Sequence, residues 1–340
     1  MDWFERITGF RELDYATTQS RLEVVSTRLL SKENQKSYEI GALSIPSLGE
    51  LRQQVVDGGN GRGRLHVSVM SGDVRQLHHA REFRGALFQV ASQFNLLEMT
   101  SPNVTAENGV TRYQHDPTQG PACAVAAGAA TIYRNYFAPV GGGIGQRADR
   151  QIDGLADIGS DLAESLGLEQ SALWEMRNGY ALCTPTGLKA IAALFGKLSG
   201  TEVDALRCKL RIGIHSDVQV TDMDVPPQQL VSQAFCSALP VAYSQIPRQQ
   251  WSAFAQMVLD AAYEATLWAG VLNARRGGSN VVMLTRLGGG AFGNDDKWIH
   301  SAMLRSLELA SSHDLNVRIV SYRAPSPALL AMADQFHGAP

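Results

Sequence analysis

Between Val281 and Ala310 the chain reads VVMLTRLGGGAFGNDDKWIHSAMLRSLELA: a buried-strand pattern, a glycine cluster, then an amphipathic helix. Gly288, Gly289, Gly290 and Gly293 all fall at that junction. A strand that passes directly into a helix belongs to an α/β fold. Glycines at the turn let backbone N–H groups approach an anion without Cβ obstruction, and the helix start adds partial positive charge. A single glycine would satisfy a tight turn that needs positive φ. The cluster instead predicts a phosphate-binding loop. Gly288, Gly290 and Gly293 also satisfy GxGxxG. A Rossmann site, however, opens a unit of several further strands and needs an acid at the end of the second. Only about fifty residues follow here, and the next strand-like run ends in Ser321, Tyr322 and Arg323, without a carboxylate.

Upstream, residues 1–60 read as a mostly helical extension ending at the glycine-rich loop Gly58 to Gly63. Leu65 to Met70 alternates apolar and polar, and Ala86 to Ala91 is apolar apart from Gln89, so both are predicted strands. Pro102 to Gly120 is polar and aperiodic, hence loop, and a loop that long in a compact protein is usually functional. Ala122 to Tyr136 suggests a helix, followed by a second glycine-rich loop at Gly141 to Gly145. Residues 150–206 read as a helical insertion with turn signals at Asn178-Gly179 and Pro185 to Gly187. Leu210 to Ile214 and Val218 to Thr221 are predicted strands, followed by the small-residue stretch Cys236 to Tyr243. Trp251, Phe254, Val258, Ala261, Ala265 and Trp268, three or four apart, predict one long helix. Strand (Val281 to Thr285), helix (Asp296 to Ala310) and strand (Val317 to Tyr322) close the chain. The alternation predicts an α/β fold with parallel strands, occupying residues 61–340 as one domain.

Several function classes are disfavoured. A net charge of −3 with scattered Arg and Lys, the densest pair being Arg62 and Arg64, offers no footprint for nucleic acid. Cys123, Cys183, Cys208 and Cys236 form no CxxC pair, and His78-His79 and His215 match no metal spacing, so no metal and no cofactor is expected. No run approaches the ~18 apolar residues of a membrane span, and no targeting signal is visible, which suggests a cytoplasmic protein.

With these motifs in place, the sequence resembles the macrodomain family over residues 65–140 and 210–322. LGGGAFGN at Leu287 to Asn294 resembles that family's diphosphate loop. Gly72-Asp73-Val74 resembles the segment whose aspartate receives the adenine amino group. ALFQVASQFN, Ala86 to Asn95, resembles the strand that ends in the family's Asn-containing loop. DPTQGPACA, Asp116 to Ala124, stands in the place of its first glycine-rich loop, but with Thr-Gln-Gly-Pro for Gly-Gly-Gly-Val. That departure is most similar to a divergent branch that includes hydrolases removing ADP-ribose from arginine.

The resemblance implies a three-layer α/β/α fold with a mixed central sheet. It implies ADP-ribose, free or on a protein, as the partner. Implied ligand contacts are Asp73, Gln93, Phe94, Asn95, Thr118, Gln119, Gly120, Ala122, Cys123, Gly288, Gly289, Gly290, Ala291, Phe292, Gly293 and Asn294. Phe292 takes the aromatic position near the distal ribose. A non-catalytic reader of ADP-ribose, or an enzyme acting on another ADP-ribose- or NAD-derived metabolite, is the alternative function on the same fold.

Cleaving an ADP-ribosyl bond passes through an oxocarbenium-like centre and requires a carboxylate to orient water and stabilise positive charge. Glu98, Asp116 and Asp296 are the candidate catalytic acids, with Asp295 beside them. Either Asp295 or Asp296 would serve equally as a helix N-cap, Asp116 before Pro117 as a turn starter, and Glu98 as a solvated loop residue. Cys123 reads better as a buried small residue than as a nucleophile, since no partner His is identifiable.

Overall fold

A computed structural model describes residues 1–59, 63–222 and 229–336. Arg62, and with it the middle of the Gly58 to Gly63 loop, lies outside the described residues. Seven strands build the central sheet: β1 (Ala42–Ser44), β2 (His66–Ser71), β3 (Leu87–Ala91), β4 (Gly213–Gln219), β5 (Leu230–Cys236), β6 (Val281–Leu284) and β7 (Asn316–Ser321). Their order is β1-β4-β5-β3-β6-β7-β2. β4 runs antiparallel to β1 and β5, and the remaining neighbours are parallel, so the sheet is mixed.

Successive strand residues point to opposite faces, and each face is covered by helices. Leu87, Ala234, Val282 and Leu284 pack with the helices α1 (Leu48–Asp57), α5 (Arg248–Arg275) and α6 (Asp296–Leu309). Phe88, Val90, Phe235 and Met283 pack on the other face with α2 (Val74–His79), α3 (Gln119–Ala126) and α4 (Gly128–Tyr136). The fold is therefore a three-layer α/β/α sandwich. The Trp251-to-Ala265 stripe of α5 is buried, as its spacing predicts. Its neighbouring positions are buried too, because the helix is covered by α1, α6 and the helix Pro185–Phe195 as well as by the sheet.

Several expectations are corrected. Residues 1–60 are not mainly helical: they contain the antiparallel strands Leu22–Val25, Arg28–Ser31 and Ser37–Glu39, and they supply β1 to the central sheet. The insertion 150–206 includes, besides helices, the hairpin Trp174–Arg177/Tyr180–Cys183. Its turn is the Asn178-Gly179 pair at φ 47° and 80°, the left-handed backbone that a tight hairpin demands. Leu210 to Ile214 and Val218 to Thr221 are not two strands. They merge into β4, which bulges between His215 and Val218. The helix expected from Ala122 to Tyr136 is broken into α3 and α4 at Ala127.

Strand β5 was absent from the sequence reading because Ser232 and Gln233 interrupt its apolar run. Both are buried. Ser232 Oγ donates to Asn273 Oδ1 at 3.1 Å and Gln233 Nε2 to the Cys123 carbonyl at 3.0 Å, so tertiary partners take up donors that otherwise disfavour a core strand, although Gln233 Oε1 stays unpartnered.

The sheet opens in its middle. β3 pairs with β5 as far as Ala91, but with β6 only at Leu87 and Phe88. Beyond that point the Gln119 side chain takes the missing strand's place, accepting from Ala91 N at 2.8 Å and donating to the Gln89 carbonyl at 2.7 Å. α3 and α4, which follow β3, lie on one face, while α5 and α6, before and after β6, lie on the other. Such a switch point leaves a crevice outside the carboxyl ends of the strands.

Candidate functional site

That crevice is a cleft of about 710 Å³, within the usual range of small-molecule sites. Loops leaving β2, β3, β5, β6 and β7 form its walls. Its lining brings together Asp73, Gln93, Glu98, Asp116, Thr118, Gln119, Gly120, Ala122, Gly288, Gly290, Ala291 and Phe292, scattered over more than half the sequence.

The glycine loop follows β6. Gly288 (φ 73°) and Gly293 (φ 69°) adopt left-handed backbone, and a Cβ on them would lie 2.5 Å from Ala238 Cβ and 2.8 Å from Ala242 Cβ. These two glycines let the loop turn and dock closely. Gly290 differs: a Cβ there meets nothing within 4 Å. The backbone N–H groups of Gly290, Ala291 and Phe292 find no acceptor among the described residues. Three free amides on a loop held in place have the form of an anion cradle. The helix start was expected to add its charge, but Asp295 caps α6 by accepting from Lys297 N at 2.9 Å. The cradle therefore rests on the loop amides.

Glu98 stands at the opposite wall, 1% exposed. It is not a solvated loop residue. Its Oε1 lies 3.5 Å from a guanidinium nitrogen of Arg134, which is itself fully buried, and its Oε2 has no hydrogen-bond partner. Burial pushes its carboxyl up to about 7, the Arg134 charge pulling the other way. The Glu98 amide donates to the Tyr113 hydroxyl at 3.3 Å. Asp116 is partly exposed and starts a turn, its Oδ1 accepting from Thr118 N at 2.9 Å and Thr118 Oγ at 2.6 Å. Asp73 caps α2 through Arg75 N at 2.8 Å and faces the cleft from the β2 side.

Other candidate residues lie elsewhere. Phe94 is buried in the core on the α5 side. Asn95 is fully buried and organises its loop, accepting from Leu97 N at 3.1 Å and donating to Gln151 Oε1 at 2.9 Å. Gln93, although it lines the cleft, holds the same loop by accepting from Met99 N at 2.6 Å. Cys123 is fully buried beneath α3, and burial raises its thiol well above the ordinary value, so it presents no thiolate to the cleft. Asn294 points inward, donating to the Leu239 carbonyl at 2.8 Å. Gly289 packs under the Arg286 side chain, and Gly293 against Ala242, away from the lining. Asp296 is outside the cleft and pairs with Arg286 at 2.5 Å.

The sequence reading missed Tyr180, Tyr243 and Arg134. Tyr180, Tyr243 and Phe292 form an aromatic cluster with ring centroids 5.1 to 5.6 Å apart. Tyr180 comes from the insertion's hairpin, and its hydroxyl donates to the Met99 carbonyl at 2.6 Å. An Asn-Gly pair between apolar runs was the available signal for that hairpin. Nothing local marks Arg134.

No protein-family model matches this chain, and no curated protein matches it. Among solved structures, it is similar to poly(ADP-ribose) glycohydrolase from Deinococcus radiodurans in complex with ADP-ribose. The identity is 12%, the TM-score 0.43, and the match covers 87% of this chain and 93% of that one. The glycohydrolase from Thermomonospora curvata is similar at 12% identity and TM-score 0.43, covering 91% of this chain and 93% of that one. These are likenesses of chain path at low identity. What the cleft does chemically follows from its own residues.

Asp116→Ala removes the acceptor that orders Thr118 at the start of α3. Binding of ligand and turnover are expected to fall together, by about tenfold each, the scale of about 1.4 kcal/mol. Calorimetric titration and single-turnover rates on one preparation check this. A turnover loss with unchanged affinity would instead place Asp116 at the reacting centre.

Proposed function

We propose that the cleft binds ADP-ribose and that the protein hydrolyses a glycosidic bond to its distal ribose. One observation supports this above the rest: Gly290 to Phe292, whose amides are unpaired, and Glu98, which keeps one unpaired oxygen, line the same cleft. The amides suit a diphosphate. A buried carboxylate with one free oxygen suits a centre where positive charge develops. In this reading Asp73 faces the adenine end and Phe292 the distal ribose, as the resemblance implies.

The leaving group departs from the anomeric carbon with the bonding electron pair, and water adds there. Ionised Glu98 stabilises the oxocarbenium-like centre and orients that water, taking its proton and then yielding it to the leaving group. Asp116, on the same wall, helps hold the leaving side. The fully buried cation behind Glu98 favours its ionised form despite the dry surroundings.

Two measurements test the proposal. Free ADP-ribose is expected to raise the melting temperature, since a ligand at 100 times its Kd stabilises the native state by about 2.7 kcal/mol. No shift at millimolar ligand sinks the binding reading, and a larger shift with NAD favours the dinucleotide alternative. ADP-ribose release is then measured from arginine-, glutamate- and serine-linked peptides and from poly(ADP-ribose). The arginine linkage is the expectation from the resemblance. Binding without release from any substrate leaves a reader of ADP-ribose.

A further inference from the structure

Arg134 is a fully buried guanidinium on α4 with one carboxylate beside it. It donates through Nε to the Leu96 carbonyl at 3.1 Å and through a terminal nitrogen to Thr131 Oγ at 3.0 Å. Its plane lies over the Phe235 ring, 3.8 Å from the centroid. On the side away from Glu98 it meets His215 Nδ1 at 3.5 Å. Burial and the neighbouring Arg134 charge hold His215 well below its ordinary value, so it is neutral and adds no second positive charge near Glu98.

A buried ion pair recovers its desolvation cost best through short, bidentate contacts that satisfy both carboxylate oxygens. The Arg134–Glu98 contact is single and long. It leaves Glu98 Oε2 unpartnered on a residue that lines the cleft, while the Leu96 carbonyl, Thr131 and Phe235 lock the guanidinium in place. Tyr113 and Cys123 both feel the Glu98 charge, but both are neutral, their hydroxyl and thiol pushed well up by burial. Arg134 is the one buried cation paired with Glu98 among the described residues.

We infer that Arg134 is a positioning residue: it keeps the Glu98 carboxylate ionised inside a dry wall and reserves Oε2 for the ligand. This deepens the hydrolase reading and rests on it for its catalytic meaning, but the effect on Glu98 is measurable without activity. Arg134→Met preserves an unbranched apolar stem and removes the charge. Carboxyl-carbon NMR of the glutamate-labelled protein, with the Glu98 signal identified by its loss in Glu98→Gln, reads the ionisation directly. In Arg134→Met the Glu98 titration is expected to move up by at least one pH unit, a tenfold change in ionisation constant. Arg134→Lys is expected to move it up by about half as much, since an ammonium restores the charge but not the fork geometry. In activity, the acidic limb of the pH–rate profile should move with the titration while ADP-ribose affinity stays within about threefold of wild type. A Glu98 titration unchanged in the folded Met variant overturns the inference. Should that variant not fold, an unchanged titration in the Lys variant does so. If wild type releases no ADP-ribose, the hydrolase reading fails while the titration still decides the role of Arg134.

Discussion

Glu98→Gln is expected to lower turnover at least ~100-fold, the low end of general acid–base assistance, with ADP-ribose affinity little changed. Gln matches Glu in shape. Its carbonyl oxygen can face Arg134, as Oε1 does now, while the amide nitrogen occupies the Oε2 position. Packing survives, and the ionisable oxygen is lost. The pH dependence gives a second readout. The active form is the carboxylate, so the wild-type rate should rise with pH through about 7, where burial places this group. The variant's residual rate should be flat there. Stability runs the other way. A carboxyl raised from its ordinary value of 4.5 to about 7 holds its proton more tightly folded than unfolded. Wild type therefore loses stability as pH climbs from about 4.5 to about 7, and the Gln variant escapes that loss. Urea melts and single-turnover rates across that range check both signs. Full activity in the variant would clear Glu98 and direct attention to Asp116.

Gly290→Glu is expected to abolish ADP-ribose binding in a folded protein. The position tolerates a side chain: no atom lies within 4 Å of a Cβ built there, and its φ is not in the left-handed region. The stability change should stay within about 0.5 kcal/mol, as for other substitutions that meet no packed neighbour. The new carboxylate extends into the cleft beside the free amides of Gly290 to Phe292, filling the anion's place and repelling it. The expected signature is a wild-type melting temperature that no longer responds to millimolar ADP-ribose, with Gly290→Ala close to wild type. The same change at Gly288 would report on folding instead, because its left-handed backbone and its contact with Ala238 forbid a side chain. Retained affinity in folded Gly290→Glu would reduce the loop to a turn.

Much of the architecture was legible in the sequence because its signals are local. The β6–loop–α6 unit could be read from a short apolar run, a cluster of glycines and a helical stripe, each a property of adjacent residues. The placement of Asp73 after β2, and of the Gln93 and Asp116 segments after β3, followed from the same alternation. Local pattern also left genuine ambiguities. Asp295 and Asp296 are equally good caps on paper. Only the chain's actual path gives the cap to Asp295 and an ion pair with Arg286 to Asp296.

What the tertiary structure alone decided is the environment of each polar group. Gln119 at the sheet's opening and the amide nitrogen of Gln233 in β5 find their partners only on segments distant in sequence. Asn95, which resembled a ligand contact, is spent inside its own loop and on Gln151. Tyr180 reaches the cleft because a hairpin of the insertion folds back over the loop after β3. Glu98 and Arg134 are ordinary charged residues in the sequence. Their burial and their incomplete pairing, which make Glu98 a candidate acid with a free oxygen, arise from the packing of α4 against β4 and of Arg134 over Phe235 of β5. Hydrophobic period and glycine placement are written along the chain, whereas desolvation and charge pairing are properties of the assembled volume.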